Sequence, residues 1–351
     1  MATDYHVDNT DGNDTTGIGS KSAPYKTVQF AATKCTVAGD KVLAYLGSTS
    51  TEEVLTGNCV WTGSGTLIAP KQLQGVDSSW MPLPPNEKYV INANSIAGIR
   101  AINMSAINHV RVSGIHVKNS DYAFFTNSYV DIRNCSATNS VRGFYTNSFS
   151  IISDCYAANN SVLGIRTNGY GHVSNCLAVG NGYNYETSLR SHMDNCRGYD
   201  PTTVNVKVAN GDNVYIGRCT FDAAGTDNIS FDSWSNASVK IEWCSITNAT
   251  GYNIEFKSTS GFASLYKNKM HGAGTANINT ATTVVEEIGT DTTAETRYES
   301  AGVLNIVTDT LVNVECDYGD GSNVQYITAG QTPEPSSGGV AKKKLQFFGR
   351  G

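Results

Sequence analysis

The chain has 351 residues, of which 40% are hydrophobic and 16% charged, and 25 basic against 31 acidic side chains give a net charge of −6. That balance argues against general nucleic-acid binding, and no apolar run approaches the ~20 residues of a membrane-spanning helix. With 34 Gly and 18 Tyr, the composition suits a turn-rich β protein.

The first residues, MATDYHVDNT, have neither a basic n-region nor an apolar h-region. The expectation is assembly in a host cytoplasm, with secretion as the alternative. A loop follows with Asp8, Asp11, Asn13 and Asp14. It departs from the EF-hand pattern, and a network of Asx turns is the plainer reading beside a metal site. A short helix is then predicted, with Pro24 in its first turn and Val28, Ala31, Ala32 and Cys35 on one face. Residues 48–109 are irregular: 58–70 and 89–107 read as strands, and 71–88 as a loop with Pro82, Pro84, Pro85 and an exposed Trp80-Met81.

From Val110 the same phrase returns: YVDIRNCSATNS, FSIISDCYAANN, YGHVSNCLAVGN, LRSHMDNCRGYD, NVYIGRCTFDAA, SVKIEWCSITNA. Its cysteines are Cys135, Cys155, Cys176, Cys196, Cys219 and Cys244, with Ile115 and Asn268 in the same slot at either end. A period in the low twenties is the mark of a solenoid, and the apolar–polar alternation closed by Asn, Asp and Gly is strand grammar. One column is apolar throughout: Ile132, Ile152, Val173, Met193, Ile216, Ile241 and Leu265. A second strand precedes it in each repeat, seen at 124–128, 144–148 and 165–169. The fold class is therefore all-β, a single-stranded right-handed parallel β-helix with an N-terminal capping helix and a short C-terminal β cap. The expected divisions are 1–47 for the strand, loop and capping helix, 48–275 for the coils, 276–330 for a C-terminal β cap or small subdomain, and 331–351 for a linker and tail. There is no C-x-x-C pair, so the cysteines read as a buried column of free thiols, with bridges between coils as the alternative.

Residues 5–47 carry a family resemblance: Tyr5, Val7, Asp8, Gly12-Asn13-Asp14, Gly17, Pro24, Lys26-Thr27, Gln29, Ala31-Ala32, Gly39-Asp40, the strand Lys41–Tyr45, and Gly47. The segment resembles the start of pectate-lyase-like parallel β-helix proteins. That resemblance implies a first strand, a loop and a helix that caps the open end of the coils. The superfamily holds lyases, hydrolases, epimerases and phage tailspike or virion proteins, so it implies a fold and leaves activity open.

Two groups of outward residues are candidates for chemistry. His172, His192, Asp194 and Arg197 form the densest polar cluster and are the candidate catalytic residues, set against an ordinary solvated sheet face. No second carboxylate is evident beside Asp194, as a hydrolase would need. Phe125, Tyr129, Tyr145, Phe149 and Tyr170 are candidate carbohydrate-binding rings, or else ladder stacking that stabilises the sheet. Asn127, Asn147 and Asn168 read as a structural amide ladder. In the tail, Lys342, Lys343, Lys344, Phe347, Phe348 and Arg350 read as a docking peptide for a partner subunit, against a frayed terminus.

The expected function is a structural or adhesive virion surface protein that binds glycan: a phage decoration protein, spike or fibre domain. Its expected partners are other virion or tail subunits, a cell-surface polysaccharide and copies of itself, a trimer among the arrangements, with no nucleic acid. No metal site and no cofactor is assigned. The alternative is a polysaccharide lyase acting on acidic glycans, for which Ca2+ would be the cofactor.

Overall fold

The computed structural model describes residues 1–45, 47, 52–210, 212–232, 234–257 and 259–280, and strands at 284–288, 296–300, 304–307, 314–316 and 324–326. It divides into two units, Met1–Gly182 and Tyr183–Gly351. Each is a parallel β-solenoid whose coils carry three strands.

In the first unit one coil runs through Val130–Arg133 in a first sheet, Ser136–Thr138 in a second and Arg142–Thr146 in a third. Register follows the repeat step. Ile132 pairs with Ile152 and Ile152 with Val173. Ala137, Ala157 and Ala178 form the second inward column, and Phe124, Phe144 and Ile165 the third. All nine are at most 3% exposed, and each large one contributes about 1.5–3 kcal/mol by leaving water. The second unit repeats the plan with Met193, Ile216, Ile241 and Leu265, and with Tyr185, Val206, Ile229, Ile254 and Ile278.

The sequence showed two strands per repeat; the third was hidden because the cysteine phrase spans a corner. Cys135 lies between two strands, and the residue before it, Asn134, has φ 48°. Asp154 and Asn175 occupy the same left-handed position in the first unit, and Asn195, Arg218, Trp243 and Lys267 in the second. Asn and Asp tolerate that region because their short polar side chains bond locally. The eight described cysteines are free and buried. The thiols of the six from Cys135 to Cys244 donate to backbone carbonyls, as Cys155 does to Ser153 at 3.2 Å.

Asparagine amides stack where the coil turns. The predicted bond from Asn147 to Asn127 is formed at 3.3 Å. Shorter, fully buried versions join Asn160 to Asn181 at 2.8 Å and, in the second unit, Asn184 to Asn205, Asn205 to Asn228 and Asn228 to Asn253 at 2.6–2.8 Å. These amides also donate to the backbone carbonyls of Ala137, Asp222 and Thr247, so that their second hydrogens are paired as well.

At the N-terminal end Asp4–Asp8 pairs in parallel with Lys41–Tyr45, and helix α1 (Val28–Lys34) buries Val28, Ala31 and Ala32. Pro24 lies four residues before the helix rather than in its first turn, because the N-cap is Thr27, whose side chain accepts from the Phe30 N–H. Glu53, wholly buried, accepts from the backbone N–H groups of Val28 (2.9 Å) and Gln29 (3.1 Å) and from the Tyr89 hydroxyl (2.8 Å). It thus ties the cap to the coils.

The segment read as a loop, 71–88, opens with the strand Lys71–Val76, which pairs with Lys41–Tyr45. A lysine in an inward slot masked it. Lys71 is fully buried, and its ammonium donates to the carbonyls of Cys35 and of Thr62 (2.6 Å). Residues 58–70, read as a strand, touch the ladder through an isolated bridge from Val60 to Asn103. Beyond residue 275, where the phrase is lost, parallel pairing continues: Ala276–Thr280 pairs with Thr296–Ser300, and Val284–Ile288 with Leu304–Val307.

Candidate functional site

The third sheet returns to the first through a tight corner, and in the first unit this corner is aromatic. His109, Tyr129, Phe149 and Tyr170 all sit at φ 55–58°. At the other two corners the left-handed residues of these coils are Asn, Asp or Gly, such as Asn134, Asn139, Asp154, Asn159 and Gly180. A large ring is disfavoured in this region, so something other than backbone preference selects it here. The rings stack: His109 on Tyr129 at 4.8 Å and 20°, Tyr129 on Phe149 at 5.0 Å and 3°, and Phe149 on Tyr170 at 4.7 Å and 13°. Tyr129, Phe149 and Tyr170 remain 44–47% exposed. The result is a column of rings one strand spacing apart with its outer rim in solvent.

Phe125 and Tyr145 belong to a different surface, the outward face of the third sheet. There they neighbour Tyr122, with centroids 4.8 and 5.4 Å from it. Their faces are taken by arginines: Arg100 lies 4.3 Å from the Phe125 centroid, Arg142 4.6 Å from that of Tyr122, and Arg166 4.4 Å from that of Tyr145. These two rings are therefore supports for guanidinium groups rather than an open platform.

The residues of the polar cluster do not all share one sheet. His172 is exposed on the first sheet of the first unit. His192 and Asp194 lie on the first sheet of the second unit. Arg197 is past the corner, on the second sheet beside Thr220, because the turn at Asn195 and Cys196 separates it from Asp194. What does gather round Asp194 is different: Arg218 donates to both its oxygens, one at 2.8 Å. His192 stacks on Tyr215 at 4.3 Å. The Tyr215 hydroxyl donates to Glu242 at 2.7 Å, and Lys240 pairs with Glu242 at 2.5 Å.

Register sets Asp194, Gly217 and Glu242 in one outward column, so the two carboxylates are two strand spacings apart, about 9.5 Å between backbones. Gly217 makes room for the ring between them: a Cβ there would meet the Tyr215 hydroxyl at 2.2 Å. Burial and the adjoining Glu242 push the Tyr215 phenol up, while Lys240 holds Glu242 below the usual carboxylate range. The pairing was legible in the sequence, since Asp194, Gly217 and Glu242 each stand two residues before a cysteine. The intervening glycine hid it.

In the acidic loop Asp8 and Asn13 form Asx turns, and Asp14 reaches across to the start of the helix. Asp8 accepts from the N–H of Thr10 and Asp11, Asn13 from Thr15 and Thr16, and Asp14 from Lys26 and Thr27. Lys342, Lys343, Lys344, Phe347, Phe348 and Arg350 lie outside the described residues.

No family model and no curated protein matches the sequence. The fold is similar to that of a solved complex of XylC with xylose, with TM-score 0.55 and 8% identity over 76% of this chain and 69% of that one. Fainter similarity extends to an alginate lyase from Paenibacillus sp. str. FPU-7, with TM-score 0.41 and 11% identity over 84% of this chain and 93% of that one. It extends also to the GH136 lacto-N-biosidase from Eubacterium ramulus, with TM-score 0.40 and 9% identity over 87% and 68%. At these identities the likeness concerns the fold alone.

Proposed function

We propose that this chain is a structural, glycan-binding surface protein whose binding element is the ring column Tyr129, Phe149 and Tyr170. One observation carries the reading: large rings occupy left-handed corners where Asn or Gly would be less strained, and their rims stay in solvent. Stacked rings in register offer apolar faces and edges to the C–H surfaces of sugars, while the flanking coil supplies polar groups. In its fuller form the proposal places the protein on a virion surface, joined to a partner through residues 340–351. What supports that part is the composition of the tail alone, aromatic anchors and lysines after a Pro/Ser/Gly linker. The test is retention of the full chain on immobilised neutral and acidic polysaccharides. Phe149→Ala is expected to weaken retention about tenfold; a chain that ignores every glycan would end the proposal.

A second reading, a polysaccharide lyase or other carbohydrate-active enzyme, rests on the Asp194, Tyr215 and Glu242 cluster. A protonated phenol held by a carboxylate is a group able to deliver a proton to a leaving oxygen. Against it, both carboxylates are tied to cations, which leaves neither suited to act as a general acid. Release of unsaturated or reducing ends from polysaccharide, with and without Ca2+, and lost in Tyr215→Phe, would favour this reading over the first.

A further inference from the structure

We propose that the cysteine column of the second unit is a binding site for a soft monovalent metal ion, copper(I), held in line between the sulfurs of successive coils. The site is independent of the glycan-binding reading and uses none of its residues. Cys196, Cys219 and Cys244 are at most 2% exposed. The strands on either side set them in register: Asp194 pairs with Gly217 and Gly217 with Glu242 before the corner, and Arg197 with Thr220 and Thr220 with Ser245 after it. The three side chains take one orientation. Each thiol donates to the carbonyl two residues earlier, Cys196 to Asp194 at 3.4 Å, Cys219 to Gly217 at 3.1 Å and Cys244 to Glu242 at 3.4 Å. The sulfurs of Cys219 and Cys244 also accept from the N–H of the preceding cysteine in the column, at 3.4 Å in both cases. Asn268 closes the column, its side-chain oxygen taking the Cys244 N–H at 2.9 Å.

A repeated orientation puts neighbouring sulfurs about one strand spacing apart, roughly 4.7–4.9 Å. Thiolate bonds to a metal are about 2.3 Å long at zinc, so a straight sulfur–metal–sulfur unit spans about 4.6 Å. That match decides between three uses of the column. A disulfide needs its Cβ atoms about 3.8 Å apart, so bridging would draw two coils together by roughly 1 Å against their ladder bonds. Zinc takes four ligands, and among the described residues no three His, Cys, Asp or Glu side chains are grouped to hold one ion. Copper(I) prefers thiolate and accepts two ligands in line.

Three sulfurs in a row have room for two ions, with Cys219 bonded to both. Loading replaces S–H bonds by S–Cu bonds. The three thiols release two protons to solvent and take up two copper(I) ions, which leaves the buried column neutral and the copper in its original oxidation state. The N–H groups of Cys196 and Cys219 stay on the sulfurs they already meet, where they favour the thiolate. The column is closed to solvent, so the ions enter as the coils fold.

The experiment uses the full chain, produced in cells supplied with copper and purified without oxygen in the presence of a bicinchoninate chelator. Bound metal is counted by elemental analysis. The first unit repeats the arrangement with Cys135, Cys155 and Cys176, so ions are counted as the difference between parent and variant. Cys219→Ser should carry about two ions fewer than the parent and Cys244→Ser about one fewer. Cys219→Ala is the second variant should the hydroxyl disturb folding, which far-UV circular dichroism checks. X-ray absorption needs no variant: the parent's copper should have two sulfur neighbours at about 2.3 Å. A parent that retains no copper would overturn the proposal, as would a Cys219 variant with as much copper as the parent. So would equal losses in Cys219→Ser and Cys244→Ser, copper with three or more sulfur neighbours, or zinc retained in place of copper from a medium holding both.

Discussion

The rings of Tyr129 and Phe149 lie 5.0 Å apart and 3° from parallel, each on a residue at positive φ. Stacking contributes about 0.5–1.5 kcal/mol per pair, while a non-glycine residue at such a φ costs about 1–3 kcal/mol. Asn is favoured at that φ, so in Phe149→Asn the two effects offset each other. Its melting temperature is expected to stay within about 4 °C of the parent, while glycan retention falls. A large drop in melting temperature, measured by calorimetry, would make the column a structural device instead.

Val173 is 3% exposed and paired with Ile152 in the first inward column. A carboxylate there would be buried in an apolar column, and Val173→Asp should cost several kcal/mol. Urea unfolding is the check; an unshifted midpoint would contradict the column.

The Glu53 carboxyl is pushed up to about 7, first by burial, against the opposing N–H of Val28, the Tyr89 hydroxyl and the N–H of Gln29. The folded form therefore holds this proton more tightly than the unfolded chain, whose Glu titrates near 4.3. The contribution to stability is complete below about pH 4.3 and is lost as pH rises through about 7, a fall of roughly 3 kcal/mol. Glu53→Gln removes the titration. The parent should lose more stability than this variant between pH 5 and 8, and parallel pH profiles would show that Glu53 does not titrate as described.

The cysteines at the corners are buried, and burial pushes the Cys135 and Cys219 thiols well up. Since the thiolate is the reactive form, the six thiols from Cys135 to Cys244 should resist a thiol reagent in the native state and react together on unfolding. Rapid native reaction of several of them would place them outside the coils.

What the sequence determined by itself was the repeat. A step of 20 to 25 residues from cysteine to cysteine, with Ile, Val or Met three residues earlier, brings equivalent positions onto one ladder, so the inward columns and their register could be read directly. The helix face of Val28, Ala31 and Ala32 and the amide pair Asn127–Asn147 were legible for the same reason, since each follows from local spacing. Only the tertiary structure could decide what side chains do once the chain has turned a corner. Two residues of backbone carry Arg197 to another sheet from Asp194, and Gly217 lets Tyr215 lie toward Glu242 from the neighbouring coil. The buried ammonium of Lys71 and the buried carboxylate of Glu53 broke the polarity pattern, because their compensating partners come from residues 9 to 36 positions away. The arginines that cover Phe125 and Tyr145 were hidden likewise: a sequence shows which residues face outward, and only the packed sheet shows which of them cover one another.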